Sequence, residues 1–112
     1  MAKTPNDLLH GTLDVLVLKA LALGSAHGYA VSRWIEAQTE GVLAIEDAAL
    51  YKALHRLEDA RAIESDWGIS ESSRRAKYYQ LTRRGRQLLR SEAILWQQYS
   101  AAVTSVLRAV ET

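Results

Sequence analysis

Residues 48–86 read AALYKALHRLEDARAIESDWGISESSRRAKYYQLTRRGR, and this stretch decides the fold because it joins a helix pattern to a hairpin pattern. Leu50, Leu54 and Leu57 recur at spacings of four and three, so they form one apolar stripe along a helix. The residues that lie off this stripe are Tyr51, Lys52, His55 and Arg56. A helix divided in this way can bury one side and leave the other free to bind a partner.

A two-stranded hairpin is predicted directly after this helix, over residues 63–81. Its first strand alternates Ile63, Ser65, Trp67 and Ile69 with Glu64, Asp66 and Gly68, and its second strand contains Lys77-Tyr78-Tyr79-Gln80-Leu81. The turn that follows Glu71-Ser72-Ser73 carries two cations, Arg74 and Arg75. A short helix followed by a hairpin with a basic tip is typical of the DNA-contacting half of a winged helix-turn-helix.

The rest of the chain completes an α-α-α-β-β-α order, so the predicted fold class is mainly α with a small β-hairpin. The first helix, Asp7 to Leu23, is apolar around nearly its whole circumference, and we expect it to need more cover than a 112-residue monomer supplies. The other predicted segments are a turn at residues 24–28, a second helix at 29–38, a stub strand or extended connector at 42–43, a third helix from residue 46 or 47 to about residue 61, and a final helix capped by Thr82 that runs to about Val110.

The size and composition indicate one folded domain. The chain has 112 residues, of which 48% are hydrophobic and 24% charged. We divide it into a polar tail at residues 1–7, a winged-helix DNA-binding domain at 8–82 and a C-terminal dimerisation helix at 83–112. The sequence has no cysteine, no signal-peptide pattern at its start and no apolar run long enough to span a bilayer. We therefore expect a cytoplasmic protein with no disulfide, no thiolate metal site and no membrane partner.

Positive charge is concentrated in one part of the chain, although the formal net charge is only +1. Seven of the 14 lysine and arginine residues fall within residues 74–90, and no acidic residue lies among them. We expect Arg74 and Arg75 to contact DNA phosphates from the hairpin turn. For the four arginines within residues 83–90, phosphate contact and an ordinary solvated helix start both remain open.

Enzymatic and metal chemistry is not indicated by the sequence. His10, His27 and His55 do not have the spacing of metal ligands, and the residues supply no nucleophile accompanied by a base and an orienting acid. Glycine patterns of phosphate-binding or dinucleotide-binding loops are missing. The sequence thus predicts no enzymatic activity, no metal and no cofactor, and a hydrogen bond within the turn for His27.

The final helix indicates self-association. Its seam follows the three-four spacing of a coiled coil and consists of Leu89, Glu92, Trp96, Tyr99, Val103, Val106 and Val110. A helix of about 30 residues is about 40 Å long and outruns a small domain. We therefore expect a homodimer whose interface also includes Leu13 and Leu16 of the first helix. Trp96 and Tyr99 either pack in that interface or form the wall of a pocket for a flat aromatic effector.

Several segments together carry a family resemblance. They are Leu9-His10-Gly11-Thr12-Leu13-Asp14, His27-Gly28-Tyr29, the run from Ala49 to Glu58, and the run from Arg74 to Thr82 with Gly85. In this combination the chain resembles the PadR-like family of winged-helix transcriptional regulators over residues 8–108, in particular its short members with a single C-terminal helix. The resemblance implies a homodimeric regulator, and some members of that family bind flat aromatic ligands between subunits.

The sequence departs from this family pattern at four places. The family usually has Pro, Gly-Ser, Pro and Gly where this chain has His10, Ala48-Ala49, Lys52 and Arg61. Ala48, Ala49 and Lys52 lie where the third helix would enter a DNA groove, so we expect the operator sequence to differ. Arg61 replaces a residue suited to a left-handed helix end, which costs about 1 kcal/mol.

We therefore predict a sequence-specific DNA-binding transcriptional regulator, a repressor that binds a pseudo-palindromic operator in double-stranded DNA. The predicted contacts are Tyr51, Lys52, His55 and Arg56 on the recognition helix, and Arg33, Arg74, Arg75 and Lys77 on the second helix and the wing. For the recognition-helix residues, a half-buried Tyr51 and an ordinary solvated face are the alternatives. A winged-helix module that binds a protein instead of DNA is the alternative function; the modest net charge favours it and the hairpin cations oppose it.

Overall fold

The computed structural model of this protein describes residues 4–9 and 11–111. In chain order the elements are α1 (Leu13–Ala22), β1 (Ala26–His27), α2 (Gly28–Gln38), α3 (Asp47–Asp59), β2 (Ile63–Ile69), β3 (Arg75–Leu81) and α4 (Arg83–Leu107), with a 3-10 helix at Pro5–Leu8 ahead of α1. The strands of this described part form one antiparallel sheet in the order β1-β3-β2. The fold class is the one predicted, mainly helical with a small sheet and a long C-terminal helix.

The first helix begins later than predicted, at Leu13 instead of Asp7. A 3-10 turn and Gly11, which has φ of +90°, precede it. A residue at positive φ cannot continue a right-handed helix, and this explains why the apolar pattern overestimated the helix length. Thr12 stands at the helix start, but its hydroxyl donates to the Leu9 carbonyl at 3.0 Å and does not cap the helix. His10, the predicted departure from the family pattern, lies outside the described residues.

α1 occupies the centre of the fold. It packs against α2, α3, α4 and β3, and of its residues, all of which are described, Lys19 alone is exposed. The prediction that a monomer cannot cover this helix is therefore wrong, because four elements of its own chain surround it. Leu13 is only 8% exposed and Leu16 is half-buried against the same core. These two predicted dimer contacts thus leave little surface for a second copy.

Strand β1 was not predicted, because Gly24 and Gly28 gave this segment the pattern of a turn. Ala26 and His27 pair with Tyr79 and Tyr78 of β3, a register that only the folded chain reveals. His27 then starts α2, since its Nδ1 atom accepts a hydrogen bond from the Ala30 N–H at 3.1 Å. This confirms the hydrogen bond predicted for His27. Residues 42–43 do not form the stub strand, because the Val42 N–H donates to the Thr39 carbonyl at 3.0 Å in the turn that follows α2.

The predicted stripe of α3 is confirmed, because Leu50, Leu54 and Leu57 are buried. The helix ends at a left-handed residue: Arg61 has φ of +62°, and its N–H donates to the Glu58 carbonyl at 2.9 Å. The N–H of the next residue donates to the Leu57 carbonyl at 2.9 Å. Both bonds belong to the helix ending that favours glycine, so the arginine occupies a strained position.

The final helix is joined to the end of α3. The Thr82 side-chain oxygen accepts a hydrogen bond from the Gly85 N–H at 3.0 Å, which confirms the predicted cap. A methyl group at Gly85 would collide with the Ala62 carbonyl oxygen, so the start of α4 sits directly on this backbone. α4 then extends away from the domain and ends at Leu107, so Val110 lies beyond the helix. The described chain accordingly measures 61 × 32 × 21 Å.

Candidate DNA-binding interface

The outer side of α3 is open to solvent. Opposite the buried stripe, the exposed residues include Ala48, Tyr51, Lys52, His55 and Arg56. Lys52 has no ion-pair partner within the described part of the chain, whereas the Nε2 atom of His55 lies 3.5 Å from the Asp59 carboxylate. An exposed ion pair at this spacing contributes about 0.5 kcal/mol or less to stability. Lys52 and His55 are therefore both free to contact another molecule.

Arg56 lies on the flank of α3 that faces α1. Its Nη2 atom is 2.7 Å from Oδ1 of Asp14, a residue that precedes it by 42 positions. The pair is half-exposed, and its contribution to stability is therefore about 1 kcal/mol at most. The predicted DNA contact Arg56 thus has a partner within its own chain, and it must leave Asp14 or share it to reach a phosphate.

Tyr51 lies on the opposite flank, beside the start of α2. A Cβ atom at Gly28 would lie 3.1 Å from the Tyr51 hydroxyl oxygen, so this glycine provides the space for the ring. The first turn of a helix has unpaired backbone N–H groups that favour anions. On the exposed side of the same helix, the Arg33 guanidinium lies 6.0 Å from the Tyr29 ring centroid. Tyr51 therefore lies beside Gly28, and Arg33 lies beside Tyr29, both in the first turn of α2.

The hairpin has two chemically different faces, because successive side chains of a strand point to opposite sides. We call the side chains of Ser65, Trp67, Ile69, Arg75, Lys77 and Tyr79 the front of the wing, and those of Glu64, Asp66, Gly68, Ala76, Tyr78 and Gln80 the back of the wing. The front continues the core, since Tyr79 is buried. Burial, followed by the Glu58 carboxylate, raises the pKa of the Tyr79 hydroxyl, which keeps it neutral.

Glu58 connects the front of the wing to α3. The Ser65 hydroxyl donates to one carboxylate oxygen of Glu58, and Nζ of Lys77 lies 3.8 Å from the other. The wing and α3 are thus neighbours on the same side of the molecule. Lys77, a predicted DNA contact, is half-buried and already paired with this carboxylate. Its charge partly cancels that of Glu58.

The tip of the wing is a tight turn. The Ser70 N–H donates to the Arg74 carbonyl at 2.8 Å, and Ser73 has φ of +61°. Arg74 is exposed there, without an ion-pair partner among the described residues. Arg75 was predicted in the turn, but it is the first residue of β3, and its guanidinium lies 4.5 Å from the Trp67 ring centroid. The two arginines are therefore in different surroundings.

Sequence reasoning missed the functional interest of Trp67 and Ile69. These side chains are 56% and 69% exposed on the front of the wing, beyond the part of the hairpin that packs on the core. The alternation of the strand placed them on the same face as Ile63 and Ser65, but it did not show how far along the strand that face stays buried. The signal that could have distinguished them is distance along the strand, because Ile63 at the base of β2 is buried whereas Trp67 and Ile69 lie nearer the turn.

The C-terminal half of α4 forms a second exposed surface. From Trp96 onward its predicted seam residues are exposed, from 39% at Val103 to 74% at Val106, whereas Glu92 is half-buried and Leu89 is partly buried against the core. Trp96 and Tyr99 have ring centroids 6.0 Å apart. They line a groove of about 760 Å³ between α4 and the start of α1, whose other apolar walls include Leu8, Val15, Leu95 and Val103.

Two structural properties bear on other classes of function. Within residues 4–9 and 11–111, no three side chains of the metal-binding types cluster closely enough to hold an ion. In the same described part, no helix combines the length and the apolar character required to cross a bilayer.

Comparison with known proteins identifies the family. Residues 17–91 match the model of the transcriptional regulator PadR-like family. The chain belongs to this family. It is 31% identical to a PadR family transcriptional regulator from Eggerthella lenta, with a TM-score of 0.75 and coverage of 93% of this chain and 88% of that one. A transcriptional regulator from Clostridium thermocellum is 28% identical, with a TM-score of 0.80 and coverage of 88% and 96%.

A curated relative extends the similarity over nearly the whole length. An uncharacterized protein from Lysinibacillus sphaericus is 26% identical over 106 residues, which cover 95% of this chain and 97% of that one. PadR-like proteins are transcriptional regulators and not enzymes. The winged-helix fold and the class of function predicted from the sequence are thereby confirmed.

Proposed function

We propose that this PadR-family regulator is a homodimeric repressor that binds a pseudo-palindromic operator in double-stranded DNA. The observation that carries the proposal is that the outer side of α3 and the front of the wing lie on one side of the domain, joined through Glu58 and Lys77. A helix of this kind enters the major groove while the hairpin beside it lies on the flanking backbone. Bound at a promoter in the cytoplasm, the dimer would block transcription by occlusion.

The roles of the individual residues follow from their positions. Tyr51, Lys52 and His55 on the open side of α3 would contact base edges, because side chains there enter the groove first. Arg33 would contact the backbone from α2, and Arg74 would do so from the tip of the wing. Arg56 would reach a phosphate after exchanging Asp14 for it.

The second copy of the chain would cover α4. From Ala93 to Leu107 the helix has no charged residue, and its large apolar side chains are exposed. Exposed apolar side chains that lie together in this way mark an interaction site on the surface of a protein. To bind successive major grooves, a two-fold dimer through this helix must hold its two recognition helices about 34 Å apart.

An effector would act at the groove beside Trp96 and Tyr99. Its volume of about 760 Å³ lies in the range of small-molecule pockets, and its walls are aromatic and aliphatic. A flat aromatic molecule inserted between the two subunits would change the angle between the DNA-binding heads. Since half-site spacing depends on that angle, the ligand would release the operator.

Selection from a random pool of duplexes tests the DNA-binding proposal. We expect the full-length protein to enrich a two-fold symmetric sequence, and its affinity for that sequence to fall steeply with salt. Arg74→Ala should lower the magnitude of the slope of log K against log salt by about 0.9 per head, because one phosphate contact is lost. Lys52→Ala should change base preference at one position of each half-site. Failure to enrich any sequence, or binding insensitive to salt, would contradict the proposal.

Sedimentation tests the dimer. We expect the wild-type chain to sediment as a dimer at micromolar concentration, and a flat aromatic ligand to weaken operator binding without dissociating that dimer. A monomer under these conditions would contradict both the dimer and the two-fold operator.

A further inference from the structure

The front of the wing holds a cation over an aromatic ring. Trp67 pairs with Lys77 in the strand register and Ile69 pairs with Arg75, so Arg75 reaches diagonally across the front to lie 4.5 Å from the Trp67 ring centroid. More than half of the Trp67 side chain is exposed. Stacking restricts the orientation of a guanidinium group and leaves its N–H donors free at the edge of the plane. Arg75 is therefore oriented before any ligand arrives.

Charge is segregated between the two faces of the hairpin. Within β2 and β3, the front of the wing carries Arg75 and Lys77 and no acid, whereas the back of the wing carries Glu64 and Asp66 and no cation. Because Lys77 is paired with Glu58, the free positive charge of the front lies at Arg75, next to Trp67 and Ile69. A polyanion would bind the front and be repelled by the back.

The back of the wing is built to keep the hairpin in shape. The Tyr78 ring covers Gly68, where a Cβ atom would lie 2.9 Å from the ring, and the Tyr78 hydroxyl donates to the Ile69 carbonyl at 3.3 Å. The same ring makes an edge contact with His27 at the start of α2, with centroids 5.4 Å apart. Through these contacts, Tyr78 on the back of the wing holds the hairpin in a fixed position relative to α2.

We propose that Trp67 is a positioning residue that holds Arg75 for insertion into the DNA minor groove beside each half-site, with Ile69 against the sugar edges. The inference rests on the proposed DNA-binding function and deepens it, because it assigns a sequence preference to the wing. With α3 in a major groove, the hairpin beside it meets the flanking phosphate strand. Arg75 lies four residues of extended chain from the buried Tyr79 towards the tip of the wing, about 13 Å, so its side chain stands well away from the core.

The preference follows from the shape of DNA. A·T tracts have a narrow minor groove with a strongly negative potential that attracts an inserted arginine. A G·C pair adds the 2-amino group of guanine to the minor groove, which obstructs such insertion. The oriented Arg75 should therefore favour A·T-rich sequence immediately outside the bases that α3 contacts.

The experiment compares three duplexes that share the operator core selected from the random pool and differ in their flanks. One has A·T flanks, one has G·C flanks, and one has inosine·C flanks, which keep the major-groove groups of G·C but lack the 2-amino group. We expect the wild-type protein to bind the A·T-flanked duplex about 10-fold more tightly than the G·C-flanked one, and the inosine·C duplex nearly as tightly as the first.

Variants of Trp67 and Arg75 test whether Trp67 positions Arg75 or only contacts the DNA itself. Trp67→Leu keeps an apolar side chain but removes the ring, and it should abolish the flank preference although Arg75 remains. Trp67→Tyr should restore most of it. Arg75→Ala should abolish the preference as well, and the double variant Trp67→Leu/Arg75→Ala should do no more than either change alone. Gln80→Ala on the back of the wing is the matched control and should leave the preference unchanged.

The outcomes are distinct. A purely structural role of Trp67 would lower affinity for the three duplexes by the same factor, and that result would overturn the proposal. So would a flank preference that survives Trp67→Leu but not Arg75→Ala, or a wild-type protein that binds all three duplexes equally. These results would leave the DNA-binding function intact, whereas that function fails if the protein selects no duplex or binds duplex DNA without salt dependence. Thermal melting of each variant confirms that the fold is kept.

Discussion

The wing and the C-terminal half of α4 both expose large apolar side chains, yet their surroundings differ. On the wing, Trp67 and Ile69 stand beside Arg74 and Arg75, and the hairpin is supported from behind by Tyr78. On α4, the exposed residues lie in a stretch from Ala93 to Leu107 that has no charge at all. The same kind of apolar exposure thus indicates two kinds of partner. The apolar side chains of the wing lie next to cations, which favours a polyanion as the partner. Those of α4 have no charged neighbour in their stretch, which favours a second copy of the same surface.

The largest expected effect comes from a charge placed in the uncharged stretch of α4. Tyr99→Glu should convert the dimer into a monomer, because two carboxylates would be buried against apolar residues in the proposed interface. Operator affinity should then fall about 100-fold or more, since each head would bind its half-site alone. Sedimentation and gel-shift titration measure the two effects.

Ala101→Glu is the matched control for this change. It adds the same charge two residues away, on the opposite side of α4 from the seam, at an exposed position. We expect it to remain a dimer with unchanged operator affinity. Equal behaviour of the two variants would mean that the exposed stripe of α4 is not the interface.

The next largest effect is a loss of stability at the contact between the start of α4 and the backbone that leads into the wing. Gly85 lies at the start of α4, against the Ala62 carbonyl that follows the end of α3. Gly85→Ala should lower the free energy of unfolding by about 1 to 3 kcal/mol, because backbone has to move to admit the methyl group. Thermal denaturation measures the loss. A variant as stable as the wild type would show that α4 can shift relative to the wing without cost.

How much the sequence predicted depended on whether the signal was local. The stripe of α3 and the Thr82 cap were predicted from the spacing of nearby residues, and the left-handed position of Arg61 was predicted from the family resemblance. Strand β1 was missed because its two residues are defined only by pairing with β3. The partner of Arg56 was missed for a similar reason, because Asp14 is 42 positions away and no periodicity connects them.

The same distinction holds within the candidate site. Sequence patterns placed Tyr51, Lys52 and His55 on the open side of α3, and the structure has them there. They did not indicate that Lys77 faces Glu58, or that Arg75 stacks on Trp67, because both contacts require the strand register and the docking of the hairpin on α3. Composition could locate the cations, but tertiary structure decided which of them are free.

A smaller effect tests the backbone strain at Arg61, where the family usually has glycine. Arg61→Gly should raise the free energy of unfolding by about 1 kcal/mol, because glycine adopts the observed φ of +62° without steric cost. Arg61→Ala is the control, since it removes the charge but keeps the Cβ atom, and it should give no such gain. Equal stabilisation by both variants would assign the effect to charge instead of backbone conformation.

The smallest expected effect tests whether the side of the domain that carries α3 and the wing binds a polyanion. Asp14→Asn should release the Arg56 guanidinium from its partner at 2.7 Å and remove one negative charge near α3. A freed arginine that gains a phosphate contact should tighten operator binding by about threefold, slightly steepen the salt dependence, and lower stability by less than about 1 kcal/mol.

Glu64→Gln provides the comparison for this last change, because it also removes one negative charge but lies on the back of the wing. If the gain at Asp14 came only from net charge, the two variants would bind the operator equally well. If it comes from Arg56, Asp14→Asn alone should tighten binding, and adding Arg56→Ala should cancel the gain. Loss of affinity in Asp14→Asn would instead mean that the ion pair holds Arg56 in the orientation that binds DNA, as Trp67 is proposed to hold Arg75.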